Sequence, residues 1–139
     1  MHTTGTFTVA SFEPVDYTSP ITTGIPVGHA HMVKEFSGDV AGRSSTQFSF
    51  AFDQTSGVGT YVAMEAFEGT LDGRAGTFAF AHSATTDGRS SERLADMLVI
   101  VPGSGSGDLS GITGTGRILV DSDGTHTIEL DYELRRSPS

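Results

Sequence analysis

The sequence predicts an all-β fold of about eight antiparallel strands around an apolar interior, and three observations carry that reading. The chain holds 18 Gly and nine Phe, with abundant Thr, Ser and Val. Gly costs backbone entropy in a helix, and β-branched or aromatic side chains lose rotamers against the preceding turn, so this composition favours strands. Asp72-Gly73, Asp87-Gly88 and Asp123-Gly124 stand between alternating segments. Asp-Gly pairs supply the positive φ that tight hairpins need, which makes each a predicted corner. Finally, no window sustains i, i+3, i+4 apolar spacing over a helical length.

In chain order, strands are predicted near residues 5–13 and 29–37, with the segment 18–27 left open for one short helix. A third strand, 45–53, places Phe48, Phe50 and Phe52 on one face, because side chains alternate across a strand. In the fourth, 59–70, one face carries Tyr61, Ala63, Glu65 and Phe67 and the other Val62, Met64 and Ala66; the aromatic face is assigned inward. Across the Asp72-Gly73 corner, the fifth strand, 75–84, aligns Phe78, Phe80 and His82. Strands near 93–101, 112–120 and 125–134 complete the set. Between two of them lies Gly103-Ser104-Gly105-Ser106-Gly107, which predicts a tight connection. A phosphate cradle would need those amides to lead into a helix, and none follows. The Gly-x-Ser-x-Gly pattern formally present there lacks the helix of a nucleophile elbow for the same reason.

At 139 residues the chain fits one domain, 1–139, with enough apolar surface for one core. Seventeen acidic against eight basic residues give a net charge of −9. That balance argues against nucleic acid and against an anionic membrane surface as partners. The adjacent Arg135-Arg136 is read as a solvated terminus. No cysteine is present, which removes disulfides, thiolate catalysis and Cys-based metal sites and fits a cytoplasmic setting. The opening Met1-His2-Thr3-Thr4-Gly5 has no basic or apolar leader character, and no segment approaches the roughly 20 apolar residues of a membrane span.

Three stretches carry a family likeness: Gly5-Thr6-Phe7-Thr8-Val9, the run from Gly69 to Phe78, and Val101-Pro102-Gly103-Ser104-Gly105-Ser106-Gly107-Asp108-Leu109-Ser110-Gly111. Together with Phe36-Ser37-Gly38-Asp39 and Leu130-Asp131-Tyr132-Glu133-Leu134, they make the chain resemble the bacterial DUF3224 family over nearly its whole length. The resemblance implies an antiparallel eight-stranded barrel, allene-oxide-cyclase-like and akin to the lipocalins, without an established activity. It also aligns Glu65 and His82 with a glutamate and a histidine common in the family. The chain departs from the family pattern at Leu98, where an aromatic residue is expected, and over Ser83–Arg93.

Two constellations could carry chemistry. Glu65 and His82 are nearly symmetric about Asp72-Gly73, so they can meet on one face. A buried carboxylate beside an imidazole can act as a general acid or base, and can equally be a hydrogen-bonded structural pair. Gly28-His29-Ala30-His31-Met32-Val33-Lys34-Glu35 followed by Gly42 matches the first metal motif of cupins, with His29, His31 and Glu35 on one strand face. The second cupin motif is missing, so no metal or other cofactor is assigned.

The reading that follows is a pocket for one small apolar organic molecule, lined by Phe48, Phe50, Phe52, Tyr61, Phe67, Phe78, Phe80 and Leu98, with Glu65 and His82 as candidate catalytic groups. A cofactor-free isomerase or cyclase is the expected activity, since aromatic walls can fold a flexible substrate into a reactive conformer. A carrier or sensor of the same ligand, and a cupin-like metalloenzyme using His29, His31 and Glu35, are the alternatives.

Overall fold

A computed structural model describes residues 1–89 and 93–135 of the chain. Its strands are β1 (His2–Val15), β2 (Val27–Gly38), β3 (Val40–Asp53), β4 (Val58–Leu71), β5 (Arg74–Asp87), β6 (Leu94–Ile100), β7 (Ser106–Gly107), β8 (Ile112–Val120) and β9 (His126–Leu134). All pairings are antiparallel, in the order β4-β3-β2-β1-β9-β8-β6-β5-β7, and a further β4–β5 pairing joins the sheet to itself. Eight strands thus form a closed ring, and β7 is a two-residue addition on β5. Closure gives each strand of the ring a neighbour on both sides, which removes most of the usual template for sheet-to-sheet aggregation, while β1 beyond Phe7 is paired with β2 alone.

The Asp-Gly corners do different jobs. Asp72 (φ 51°) and Gly73 (φ 85°) form the two-residue β4–β5 turn, both in the left-handed region that a type I′ hairpin requires. Asp123-Gly124 lies in the longer β8–β9 loop, where Asp123 Oδ1 accepts from the Thr125 amide at 3.0 Å. Asp87-Gly88 ends β5 and opens the connection to β6, of which residues 90–92 lie outside the described residues, as does the tail from Arg136. The segment left open for a helix, 18–27, is irregular up to Pro26 and joins β2 at Val27. Among the described residues no helix is long and apolar enough to cross a membrane.

One end of the ring is filled by side chains. Leu71, Leu109, Ile112, Leu130 and Tyr132 are fully buried there, with Phe36, Phe67, Phe78 and Phe80 above them. Leu109 comes from the Gly-Ser-rich connection, which folds over this end as a lid. Ser104 Oγ donates to Val101 O (2.6 Å) and accepts from the Ala79 amide (3.0 Å). A Cβ on Gly105 would stand 2.1 Å from Leu109 O, and one on Gly76 would stand 2.1 Å from Ser106 O, so both positions need glycine for the lid to close. This Gly-Ser-rich segment, one of the three stretches that carry the likeness, is therefore a structural plug.

The opposite end, where β1 and β3 finish and β4 begins, stays open. A bulge between Val9 and Ser11 shifts the register of β1 against β2 and brings Phe12 into the mouth near Phe48 and Phe50 (ring centroids 6.4 Å apart in each case). Alternation holds in β4 as read from sequence: Ala63, Glu65 and Phe67 are buried, and Val62, Met64 and Ala66 are exposed on the outer face.

Candidate functional site

At mid-height inside the ring, Glu65 is completely buried and gathers three donors. Lys34 Nζ donates to Oε1 at 2.9 Å, His82 Nε2 lies 2.8 Å from the same oxygen, and Ser44 Oγ donates to Oε2 at 2.5 Å. The β4–β5 register places Glu65 opposite Phe80 and His82 opposite Ala63, so the two side chains meet diagonally. On its other side His82 Nδ1 is 2.9 Å from Tyr61 Oη, and Arg93 donates to the same hydroxyl. The imidazole is clamped between Phe80 (5.5 Å, stacked) and Tyr61 (5.3 Å, edge-on).

Electrostatics fixes the protons. Burial raises the Glu65 pKa, but the His82 hydrogen bond, the Lys34 charge and the Ser44 hydroxyl outweigh it and hold the carboxyl at about 2. For His82, burial and the Lys34 charge outweigh the Glu65 hydrogen bond and hold the imidazole below its ordinary value. Glu65 is therefore an anion and His82 a neutral ring near pH 7. With a carboxylate facing Nε2, the proton sits on Nε2 and Nδ1 accepts from Tyr61. Burial also raises the Tyr61 phenol, against the opposing influence of Arg93.

Both shifts have the same consequence in acid. The unfolded chain takes up protons at His82 below about 6.5 and at Glu65 below about 4.5, before the folded protein does, so stability falls as pH drops through each range. Urea midpoints are expected to hold above pH 7 and decline from there toward pH 2. His82→Gln should flatten the upper part of that decline and Glu65→Gln the lower part; unchanged slopes in both variants would contradict the proton assignment.

Two adjoining cavities lie on the open side of this cluster. The outer one, about 530 Å3, has Phe12, Phe48, Phe50, Phe52 and Tyr61 among its walls. The inner one, about 150 Å3, is bounded by Phe7, Met32, Lys34, His82, Ile118 and His126 among others. Phe48, Tyr61 and Arg93 belong to both and form the wall between them. A groove of about 550 Å3 on the outer face contains Arg43 and Glu68, which pair with each other at 3.4 Å, and holds no comparable cluster of buried polar groups.

The structure divides the residues singled out from sequence. Phe48, Phe50, Phe52 and Tyr61 line the mouth; Phe50 is half-buried and Phe52 exposed. Phe67, Phe78, Phe80 and Leu98 lie deeper, in the solid core, and line neither cavity. Glu65 and His82 do meet, yet only His82 borders a cavity; Glu65 stands behind the wall. His29, His31 and Glu35 share the outer face of β2, where His29 Nδ1 lies 2.9 Å from Ser49 Oγ. Among the described residues no group of three His, Asp or Glu is placed to hold a metal ion.

Sequence reasoning missed Lys34, Ser44, Phe12 and Arg93. Lys34 is the only lysine in the chain, and alternation puts it with Ala30 and Phe36, on the inward face opposite the His-x-His pattern. That signal was available. Ser44 fell just outside the predicted strand, and Phe12 reaches the mouth only because of the bulge.

These features define an all-β protein built on one antiparallel sheet closed into a ring, with a plugged end and an aromatic open end above a buried ionic cluster. The chain belongs to the DUF3224 family: the family profile, described as "Protein of unknown function (DUF3224)", matches residues 3–132. It is similar to a DUF3224 protein of unknown function from Shewanella oneidensis MR-1, whose crystal structure was determined at 1.84 Å resolution. The two are 30% identical, each chain is covered over 98% of its length, and the TM-score is 0.82. No curated protein matches the chain.

Proposed function

We propose that the chain is a barrel of the allene-oxide-cyclase-like or lipocalin-like type that binds one small, largely apolar organic molecule in its mouth. The observation that carries this reading is the pair of adjoining cavities sharing Phe48, Tyr61 and Arg93. Small-molecule sites are commonly apolar clefts of about 300–1,000 Å3 with a few convergent polar groups, and the aromatic mouth with Tyr61 and His82 at its base fits that description. A cofactor-free isomerisation or cyclisation is the chemistry this site would support. The aromatic walls would hold a flexible substrate in one conformer, and a proton would pass between substrate and His82 Nδ1 through Tyr61 Oη. Glu65 would then be a positioning residue that fixes the imidazole tautomer.

A non-catalytic carrier or sensor is the second reading, favoured by one observation: both His82 nitrogens are already engaged, Nε2 by Glu65 and Nδ1 by Tyr61. Conversion of a bound ligand into an isomer would separate enzyme from carrier. The cysteine-free, acidic sequence supports a cytoplasmic protein with neither nucleic acid nor membrane as partner.

The test is titration with the neutral fluorophore N-phenyl-1-naphthylamine, which brightens in apolar surroundings. Saturable binding at one site per chain is expected, weakened by about tenfold or more in Phe50→Asp, a loss of about 1.4 kcal/mol. Absence of saturable binding, or binding indifferent to Phe50→Asp, would overturn the pocket.

A further inference from the structure

The inner cavity has a charge character opposite to that of the chain. Among the described residues its boundary includes Lys34 and Arg93 and no carboxylate, although acidic residues outnumber basic ones seventeen to eight overall. Glu65, behind the wall, neutralises one of the two cations, and three donors already occupy its oxygens. Asp96, the other acid that influences Tyr61, pairs with Arg117 at 3.4 Å. Burial and the Lys34 and Arg93 charges lower the pKa of both histidines on the boundary, which favours their neutral rings and leaves the positive charge there to Lys34 and Arg93. Arg93 donates to Tyr61 Oη and lies over that ring, 5.2 Å from its centroid, while its buried Nε has no hydrogen-bond partner among the described residues. A buried donor left without an acceptor is costly, and an anionic acceptor relieves that cost best.

Resting on the pocket reading above, we infer that the ligand is a small amphipathic organic acid. Its anionic head meets Arg93 and Lys34 in the inner cavity, and its apolar body lies among Phe12, Phe48 and Phe50 in the mouth. The guanidinium offers the forked geometry that a carboxylate matches. The pocket would thus select amphipathic acids over neutral molecules of equal apolar length.

The experiment displaces bound N-phenyl-1-naphthylamine with sodium octanoate and, separately, with octan-1-ol, at pH 7.5. Octanoate is expected to displace the probe at a concentration at least about tenfold lower than the alcohol, corresponding to about 1.4 kcal/mol. Arg93→Met should abolish that preference, so that octanoate and octan-1-ol displace the probe from the variant at similar concentrations; this side chain is half-exposed, whereas Lys34→Met would strand the Glu65 charge. Added salt should weaken octanoate more than the alcohol. Equal displacement by the two compounds, or a preference that survives Arg93→Met, overturns the anion site while the pocket stands. A probe that fails to bind overturns the pocket and the acid together.

Discussion

Replacing Glu65 with alanine is expected to cost about 3–5 kcal/mol of folding stability, among the largest single-site losses in the chain, because it strands a buried ammonium. Lys34 Nζ is 2.9 Å from Glu65 Oε1, and its side chain is almost wholly shielded from solvent. Without the carboxylate, Lys34 must be buried uncompensated or lose its proton, while Ser44 and His82 each lose an acceptor. Glu65→Gln retains the shape but not the charge and should also be destabilised. Exchange of both partners, Lys34→Met with Glu65→Leu, should recover much of the loss, since apolar replacement of a whole buried pair is often close to neutral. Urea denaturation of the three variants measures this. Single-variant losses below about 1 kcal/mol would mean that water reaches the cluster and that its charges are screened.

Phe80→Ala should be comparably damaging, at about 3–5 kcal/mol, the usual range for deleting a core phenylalanine. Phe80 is only 1% exposed, touches Phe78, and forms the floor beneath His82. By contrast, Phe50→Ala should cost about 1 kcal/mol or less, as for side chains only partly withdrawn from water, although both rings belong to inward-pointing strand faces. Facing the interior does not decide burial here; height along the ring does. The plugged end is solid with side chains, and the mouth is not. Equal losses at the two positions would contradict the division of the interior into core and cavity.

Much of this arrangement was legible in the sequence. The Asp72-Gly73 hairpin and the aromatic face of β4 could be read because a tight turn demands positive φ and a closed sheet imposes a period of two. Those same rules brought Glu65 and His82 within hydrogen-bonding distance. What stayed hidden depends on breaks in the period or on contacts far apart in the chain. The irregularity between Val9 and Ser11 re-aims Phe12, and no residue type there announces it. Phe67, Phe78, Phe80 and Leu98 lie on the inward face, as alternation requires, but a period of two says nothing about the depth at which side chains fill the ring. Arg93 reaches Tyr61 from a connection whose path no local pattern sets. The His-x-His pattern drew the eye to one face of β2, while Lys34 lay on the other.

The central claim, that the aromatic mouth above the Glu65–His82 cluster is a ligand site, is tested most directly by the methyl resonances of the four methionines. Met32 borders the inner cavity, Met64 and Met97 stand on the outer face, and Met1 pairs through its amino group with Tyr132 O at the plugged end. With 13C-methyl methionine and N-phenyl-1-naphthylamine as titrant, ring currents from the bound probe should move the Met32 methyl saturably and leave Met1, Met64 and Met97 in place. Movement of Met64 or Met97 with Met32 unchanged would put the molecule on the outer apolar face and contradict an interior site.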